Sequence, residues 1–221
     1  MKLFAWLGNL LFPEKCVLCG RILQDEELDL CRTCRMQVPE HPVCRTKLPF
    51  IHSWTALWLY QDNVRRSILR FKFYGRRNYA DAYARLLGMK LLREGEPTAQ
   101  LITWVPISEK RRKKRGYDQC RLLAESLSRQ LQIPAVSTLC KIRNNPPQSG
   151  IVGHAQRRAN VLGAYIALSP EDLTGKKILL VDDILTTGAT AGECARVLLT
   201  AGAGQVQLAV VAAANQQKIR R

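Results

Sequence analysis

The chain has 221 residues, 47% of them hydrophobic and 24% charged, which is the make-up of a folded globular protein with room for one large domain and a small appendage. Lys and Arg number 34 against 18 Asp and Glu, giving a formal net charge of +16 and a pI near 9.9. That balance favours polyanions as partners: nucleic acid, phosphorylated small molecules or an anionic membrane surface.

The excess is concentrated. Residues 1–50 carry 7 basic and 6 acidic side chains, 51–100 carry 9 and 4, 101–160 carry 12 and 3, and 161–221 carry 6 and 5. Most of the net charge therefore falls in the middle of the chain, as it would for a docking face; a solvated charge run is the plainer alternative. No run of about 18 apolar residues occurs, so no transmembrane segment is expected. In the opening MKLFAWLGNLLFP, Leu3, Trp6, Leu7, Leu10 and Leu11 fall at helical spacing, and no small-residue cleavage site precedes Pro13. The segment reads as a short amphipathic helix, and the expected location is cytoplasmic, or peripheral at the inner face of the membrane.

Four of the eight cysteines form one array: Cys16-x-x-Cys19, eleven residues, then Cys31-x-x-Cys34. Two residues between paired thiolates let both reach one ion from a tight knuckle, and two knuckles close a tetrahedron around Zn²⁺. Gly20 gives the first knuckle its conformational freedom. With sulfur at all four positions the zinc is structural. Two disulfides are the alternative, in an exported protein. Cys44 has no partner at x-x spacing, and Cys120, Cys140 and Cys194 sit in apolar contexts that suit buried, inert thiols. Residues 1–50 are thus expected to form an N-terminal helix and a double zinc ribbon or knuckle module, with a second domain over 51–221.

WTALWLY (Trp54–Tyr60) reads as a strand. Val64 to Leu69 can form a helical turn, and Ala80, Tyr83, Ala84, Leu87 and Leu91 keep helical spacing up to a stop at Gly95. Between them Arg70, Lys72, Arg76 and Arg77 interleave with Phe71, Phe73, Tyr74 and Tyr79. Cations between aromatic rings suit a single-stranded polynucleotide, whose phosphates they track while the rings stack on bases. Equally, Phe71 and Phe73 alternate as core positions would.

LITWVPI is a buried-type strand, followed by six consecutive cations, Lys110 to Arg115. A helix is expected from about Tyr117 to Gln132. AVSTLCKI, GAYIAL, KKILLV and QVQLAVVAAA read as further strands, and RNNPPQSGIVGHAQRRAN as a long loop. Strands that are nearly continuous apolar runs, alternating with helices, imply an α/β fold with a mainly parallel sheet covered on both faces. In such sheets ligands sit beyond the carboxyl ends of the strands.

One stretch lies at such an end: ILLVDDILTTGAT, Ile178 to Thr190. Asp182 and Asp183 can accept hydrogen bonds from vicinal sugar hydroxyls or hold a hydrated Mg²⁺ through water. Thr186, Thr187, Gly188, Ala189 and Thr190 offer backbone N–H groups and hydroxyls at a helix N-terminus, an anion site. A Walker-type loop needs Lys after the glycine, where Ala189 stands, so a nucleoside triphosphate is not the expected ligand.

This stretch resembles the signature of type I phosphoribosyltransferases, which bind 5-phosphoribosyl 1-diphosphate (PRPP). The resemblance implies that Asp182 and Asp183 meet the ribose hydroxyls and that Thr186 to Thr190 cradle the 5-phosphate. Together with the cysteine array, FKFYGRRNYA, RRKKRGYDQ and NNPPQSGIVGHAQRRANVLGAY, it makes nearly the whole chain similar to the ComF family of competence proteins. That family is associated with entry of single-stranded DNA in natural transformation. Tyr117-Asp118 stands where it commonly has Phe-Asn, and many members carry a further cysteine pair near the position of Cys44.

The resemblance further implies that the turn after LITWVPI, with Arg111, Arg112, Lys113, Lys114 and Arg115, meets the diphosphate together with Mg²⁺. It implies that 144–160, with Gln148, Ser149, Arg157 and Arg158, forms a mobile lid. The alternative for the cation run is a DNA-binding patch. Relatives acting on 6-oxopurines carry an acidic residue at the position of Thr186, which speaks against such a substrate here. Residue 2 is Lys and the N-terminal region is a cysteine module, which speaks against a glutaminase half. Three expectations result. The first is a competence protein that binds PRPP and Mg²⁺, carries structural zinc, and handles single-stranded DNA alongside an uptake helicase or other competence machinery. The second is a phosphoribosyltransferase acting on a small acceptor, by displacing diphosphate from ribose C1. The third is a DNA-binding module that has lost catalysis.

Overall fold

The computed structural model describes residues 13–43, 46–95, 97–145 and 154–214. The expected N-terminal helix, Cys44, Gln148 and Ser149 lie outside the described residues.

Four parallel strands form the central sheet. In chain order they are β1 (Ser53–Leu59), β2 (Leu101–Trp104), β5 (Lys177–Leu185) and β6 (Gln205–Ala213), and in space they run β1-β6-β5-β2. The two central strands carry the apolar runs 178–181 and 208–213, as expected where both faces are covered. Leu179, Val181, Ala209 and Val211 point to one face. There they meet helices α2 (Asp62–Phe73), α3 (Tyr79–Arg93) and α5 (Gln119–Leu131) through Phe71, Tyr83, Leu87, Leu123 and Leu127. Ile178, Leu180, Leu208 and Val210 point to the other, covered by α7 (Ala189–Thr200) through Cys194, Ala195 and Leu198.

Two expected strands do not join this sheet. β3 (Leu139–Lys141) and β4 (Tyr165–Ala167) pair antiparallel with each other. The stretch read as the strand AVSTLCKI is divided. Ala135 bridges Ile102 at the edge of the parallel sheet, and the chain then leaves to form β3. Thr138 Oγ1 donates to Thr103 Oγ1 at 2.7 Å where it departs. Apolar content alone does not distinguish a sheet strand from a three-residue ribbon lying across the end of the sheet. The expected long loop also contains a helix, α6 (His154–Val161), anchored by buried Val161.

The cysteine segment is built into the first face. The knuckle's Val17, Leu18 and Leu30 belong to the same apolar cluster as Ile68, Phe71 and Tyr83. Ser67 Oγ donates to the Val17 carbonyl and the Arg70 guanidinium to that of Leu18. Arg85 Nε donates to Asp29 Oδ2 at 3.0 Å. Lys90, buried, donates to the His41 carbonyl and lies 3.5 Å from both Glu40 and Glu94. The segment thus gains by contact the apolar cover that its own few side chains could not supply.

Candidate functional site

A cleft of about 790 Å³ opens at the carboxyl ends of the parallel strands. Tyr60 after β1, Val105 to Ile107 after β2, and Asp182 to Leu185 of β5 form its floor. Thr186 to Thr190 line it in sequence, with Thr186–Gly188 as the turn and Ala189–Thr190 already in the first turn of α7. Gly188 is required there. Its φ is +76°, and a Cβ would come within 3.0 Å of Leu48 Cδ2. The Ala189 N–H is turned onto Thr187 Oγ1 at 3.4 Å.

The two aspartates have different surroundings. β5 does not end at them but continues to Leu185, yet a carboxylate oxygen of each lies within 4.8 Å of the other. Asp183 is buried. Its Oδ2 receives Lys72 Nζ at 2.8 Å and Gln119 Nε2 at 3.0 Å. Asp182 is partly open to the cleft, and its Oδ1 accepts the Asp183 backbone N–H at 2.8 Å and the Cys120 thiol at 3.3 Å. Burial, reinforced by the neighbouring Asp183 charge, raises the Asp182 carboxyl to about 7. Burial alone would lower the Lys72 ammonium, but the Asp183 charge outweighs it and holds Lys72 above its ordinary value. The Cys120 thiol is held well above its ordinary value by burial and then by the Asp183 and Asp182 charges, so it acts as a neutral donor.

The cation helix α4 (Glu109–Arg115) divides by face. Arg111, Lys114 and Arg115 line the cleft, whereas Arg112 and Lys113 face a separate, shallower concavity beside Glu109 and Asp118. Arg112 is exposed and paired with Glu109 at 2.8 Å. Arg115 lies over the Phe73 ring at 4.9 Å and donates to Gln119 Oε1. Arg111 Nη2 donates to the Asn145 carbonyl at 2.8 Å, tying α4 to the segment that leads towards α6. From α6 itself Arg157 lines the cleft and Arg158 does not. Asp118 caps α5: its Oδ1 accepts the Cys120 and Arg121 N–H groups at 3.0 and 3.2 Å, and its Oδ2 accepts that of Ile107 at 3.2 Å. Its charge is thereby spent on a helix N-terminus and on the turn after β2, outside the cleft.

Gln119, Lys141 and Tyr165 line the cleft without having been singled out in the sequence, and Lys72, expected on a nucleic-acid track, lines it as well. Lys141 Nζ donates to the Tyr165 hydroxyl at 3.1 Å, and burial followed by the Arg111 charge lowers its ammonium. The alternating core reading of Phe71 and Phe73 is overturned because they lie on a helix. Phe71 is fully buried while Phe73 is 63% exposed. A helical signal for Lys72 did exist: Val64, Ile68 and Lys72 stand at i, i+4 and i+8 on the buried stripe. Cys120, expected as inert packing, instead touches Asp182.

The sulfurs of Cys16, Cys19, Cys31 and Cys34 lie within 4.8 Å of one another. Tetrahedral Zn²⁺ with Zn–S bonds of about 2.3 Å sets neighbouring sulfurs about 3.8 Å apart; Cys19 and Cys31 are separated by 3.7 Å. Gly20, at φ +82°, closes the first knuckle by donating to the Cys16 carbonyl at 2.8 Å. The Cys34 N–H points at Cys31 Sγ at 3.4 Å, the usual support for a ligating thiolate. These residues fit a structural zinc ion. The aspartate pair does not offer Mg²⁺ the same fit, because the acceptor atoms already engaged include Asp183 Oδ2, where an ammonium sits.

The fold and the cleft place the chain in the class of type I phosphoribosyltransferase-like proteins with an N-terminal zinc ribbon. The family profile of the phosphoribosyl transferase domain matches residues 118–221, and that of the double zinc ribbon domain matches 7–47. The DNA utilization protein YhgH of Escherichia coli O157:H7 is 31% identical, covering 87% of this chain and 87% of its own. Competence protein F of Haemophilus influenzae is 29% identical over 89% of this chain and 96% of its own. Competence protein ComFC of Bacillus subtilis is 27% identical over 87% and 82%. The chain belongs to the ComF family of competence and DNA utilization proteins.

Proposed function

We propose that this protein binds PRPP in the cleft and takes part in handling single-stranded DNA during natural transformation. The observation that carries the first part is the convergence, in one cleft, of a carboxylate pair, a helix-start loop and cations from four other elements, α2, β3, α4 and α6. Asp182 and Asp183 would accept from the ribose 2- and 3-hydroxyls. Thr186 to Thr190 would cradle the 5-phosphate with backbone N–H groups and hydroxyls. Arg111, Lys114 and Arg115 from α4, with Arg157 from α6, would neutralise the diphosphate, and Mg²⁺ would arrive bound to that diphosphate. Arg112, Lys113 and Arg158 have no part in this reading.

The second part is supported by the names of the competence relatives and by a surface continuous with the cleft mouth. Phe73 and Tyr74 are 63% and 72% exposed at the end of α2, beside exposed Arg76 and Arg77. Arg77 Nη2 reaches the Gly116 carbonyl at 3.1 Å, joining this turn to the cation helix. Open rings beside cations suit a flexible polyanion with bases to stack. Among the described residues no helix is long and apolar enough to cross a membrane.

One observation favours an accompanying transferase activity. Beyond the carboxylate pair the cleft continues to Tyr60, Leu69 and Phe73, a largely apolar wall that a planar acceptor could occupy. Isothermal titration with PRPP and Mg²⁺, repeated after saturation with single-stranded DNA, tests the reading. The expected result is binding of both ligands; absence of PRPP binding removes the first part, and absence of salt-sensitive DNA binding removes the second.

A further inference from the structure

Three side chains able to ligate a metal, Cys120, Asp182 and Asp183, bring one ligand atom each within 4.8 Å of one another. By composition this is a divalent-cation site: two adjacent carboxylates and a thiol. Yet Lys72 Nζ lies 2.8 Å from Asp183 Oδ2, with only 19% of its side chain exposed. A divalent ion on that oxygen would bind at about 2.1 Å and would need room for its remaining waters. The ammonium occupies that room and carries the same sign of charge. Gln119 Nε2 holds the same oxygen at 3.0 Å and is itself anchored by Arg115, so the arrangement is fixed from two sides. On Asp182, Oδ1 already accepts an N–H and an S–H.

We propose that Lys72 is a built-in counter-ion that takes the place of a metal at the carboxylate pair. It keeps free divalent cations off Asp182 and Asp183 and holds Asp183 oriented for neutral hydroxyl donors. The pair then selects a sugar rather than an ion. A divalent metal enters the cleft only on the phosphates of a ligand. Lys72 is a positioning residue of this site, contributed by α2 from outside the matched phosphoribosyl transferase region. The inference rests on the reading of the cleft as the place of a phosphorylated sugar, but its test does not use that ligand.

The test is Mn²⁺ binding, followed by electron paramagnetic resonance, to zinc-loaded protein without PRPP. Wild type is expected to leave Mn²⁺ free. Lys72→Met is expected to gain one Mn²⁺ per chain, with affinity at least about tenfold above wild type. Adding Asp182→Asn to that variant is expected to abolish the gain. If Lys72→Met does not fold, Lys72→Gln removes the charge while keeping a donor towards Asp183. Wild-type protein that binds Mn²⁺ through the aspartates overturns the proposal. So does a folded, charge-neutral Lys72 variant that gains none. The expected Mn²⁺ pattern together with no response to PRPP would leave this inference standing and remove only the functional reading above.

Discussion

Among the described residues two clusters of metal-capable side chains occur, and they differ in what balances their charge. In the first, Cys16, Cys19, Cys31 and Cys34 face one another, and the Arg21 guanidinium that reaches Cys31 is exposed and already paired with Glu27 at 2.6 Å. In the second, Cys120, Asp182 and Asp183 are equally close together, but Lys72 is bonded into the group. Proximity of ligands is therefore the same in both and decides nothing. A cluster whose one neighbouring cation is exposed and shared with another carboxylate must take its counter-charge from a metal or give up its own charge; a cluster with a buried ammonium bonded into it is left to recognise neutral donors.

Removing the counter-charge from each cluster measures that difference, and zinc should give the largest effect. Structural zinc is worth about 10 kcal/mol or more, as much as the whole stability of an ordinary domain. Chelation, or Cys34→Ser, is expected to expose residues 14–43 first in hydrogen exchange. The loss should then spread to α2, because Val17 and Leu18 share a core with Ile68 and Phe71. Unchanged protection after verified zinc loss would show that packing alone holds the segment.

The equivalent change at the second cluster is Lys72→Met. Breaking a buried ion pair by removing one partner costs about 3 kcal/mol, at the lower end of the usual range because Lys72 keeps some exposure. Chemical denaturation should show this loss; a difference within error would mean that the pair contributes no net stability.

A pH series tests Asp182. Folded Asp182 holds its proton up to about 7, whereas an ordinary aspartate releases it near 3.8. Between those values the folded state binds more protons than the unfolded state, so this group makes stability fall as pH rises from about 4 to about 7. Asp182→Asn is expected to remove that slope from the difference between melting temperatures at low and neutral pH. An unchanged slope would place its origin elsewhere.

The smallest effect is expected at Arg112. Its exposed pair with Glu109 is screened by solvent and contributes little, and it lies off the cleft. Arg112→Ala should leave PRPP affinity unchanged while Arg115→Ala weakens it. Equal losses would mean that the two faces of α4 are not distinct.

Ile178 to Thr190 and the paired Cys-x-x-Cys were legible from sequence because each is contiguous or evenly spaced and each residue has a chemical use. The continuous apolar runs of β5 and β6 were legible for a related reason: a strand covered on both faces has no polar side to show. Lys72 was hidden because its partner lies far along the chain, and because cations beside aromatics looked like a surface track. Helical periodicity through Val64 and Ile68 was the signal that would have turned it inward. The division of six cations between two faces of α4 was equally invisible in a uniform run. β3 and β4 misled because a short apolar segment reads alike in a central strand and in a ribbon across the end of a sheet.

We propose that the cleft receives a phosphorylated ribose through its aspartate pair. The most direct measurement is calorimetric titration of PRPP with Mg²⁺ into wild type and into Asp182→Asn with Asp183→Asn. Saturable binding to wild type is expected, with an affinity more than about tenfold weaker in the double variant and single-stranded DNA binding retained. Equal affinity in the two proteins, or no binding to wild type, would contradict it.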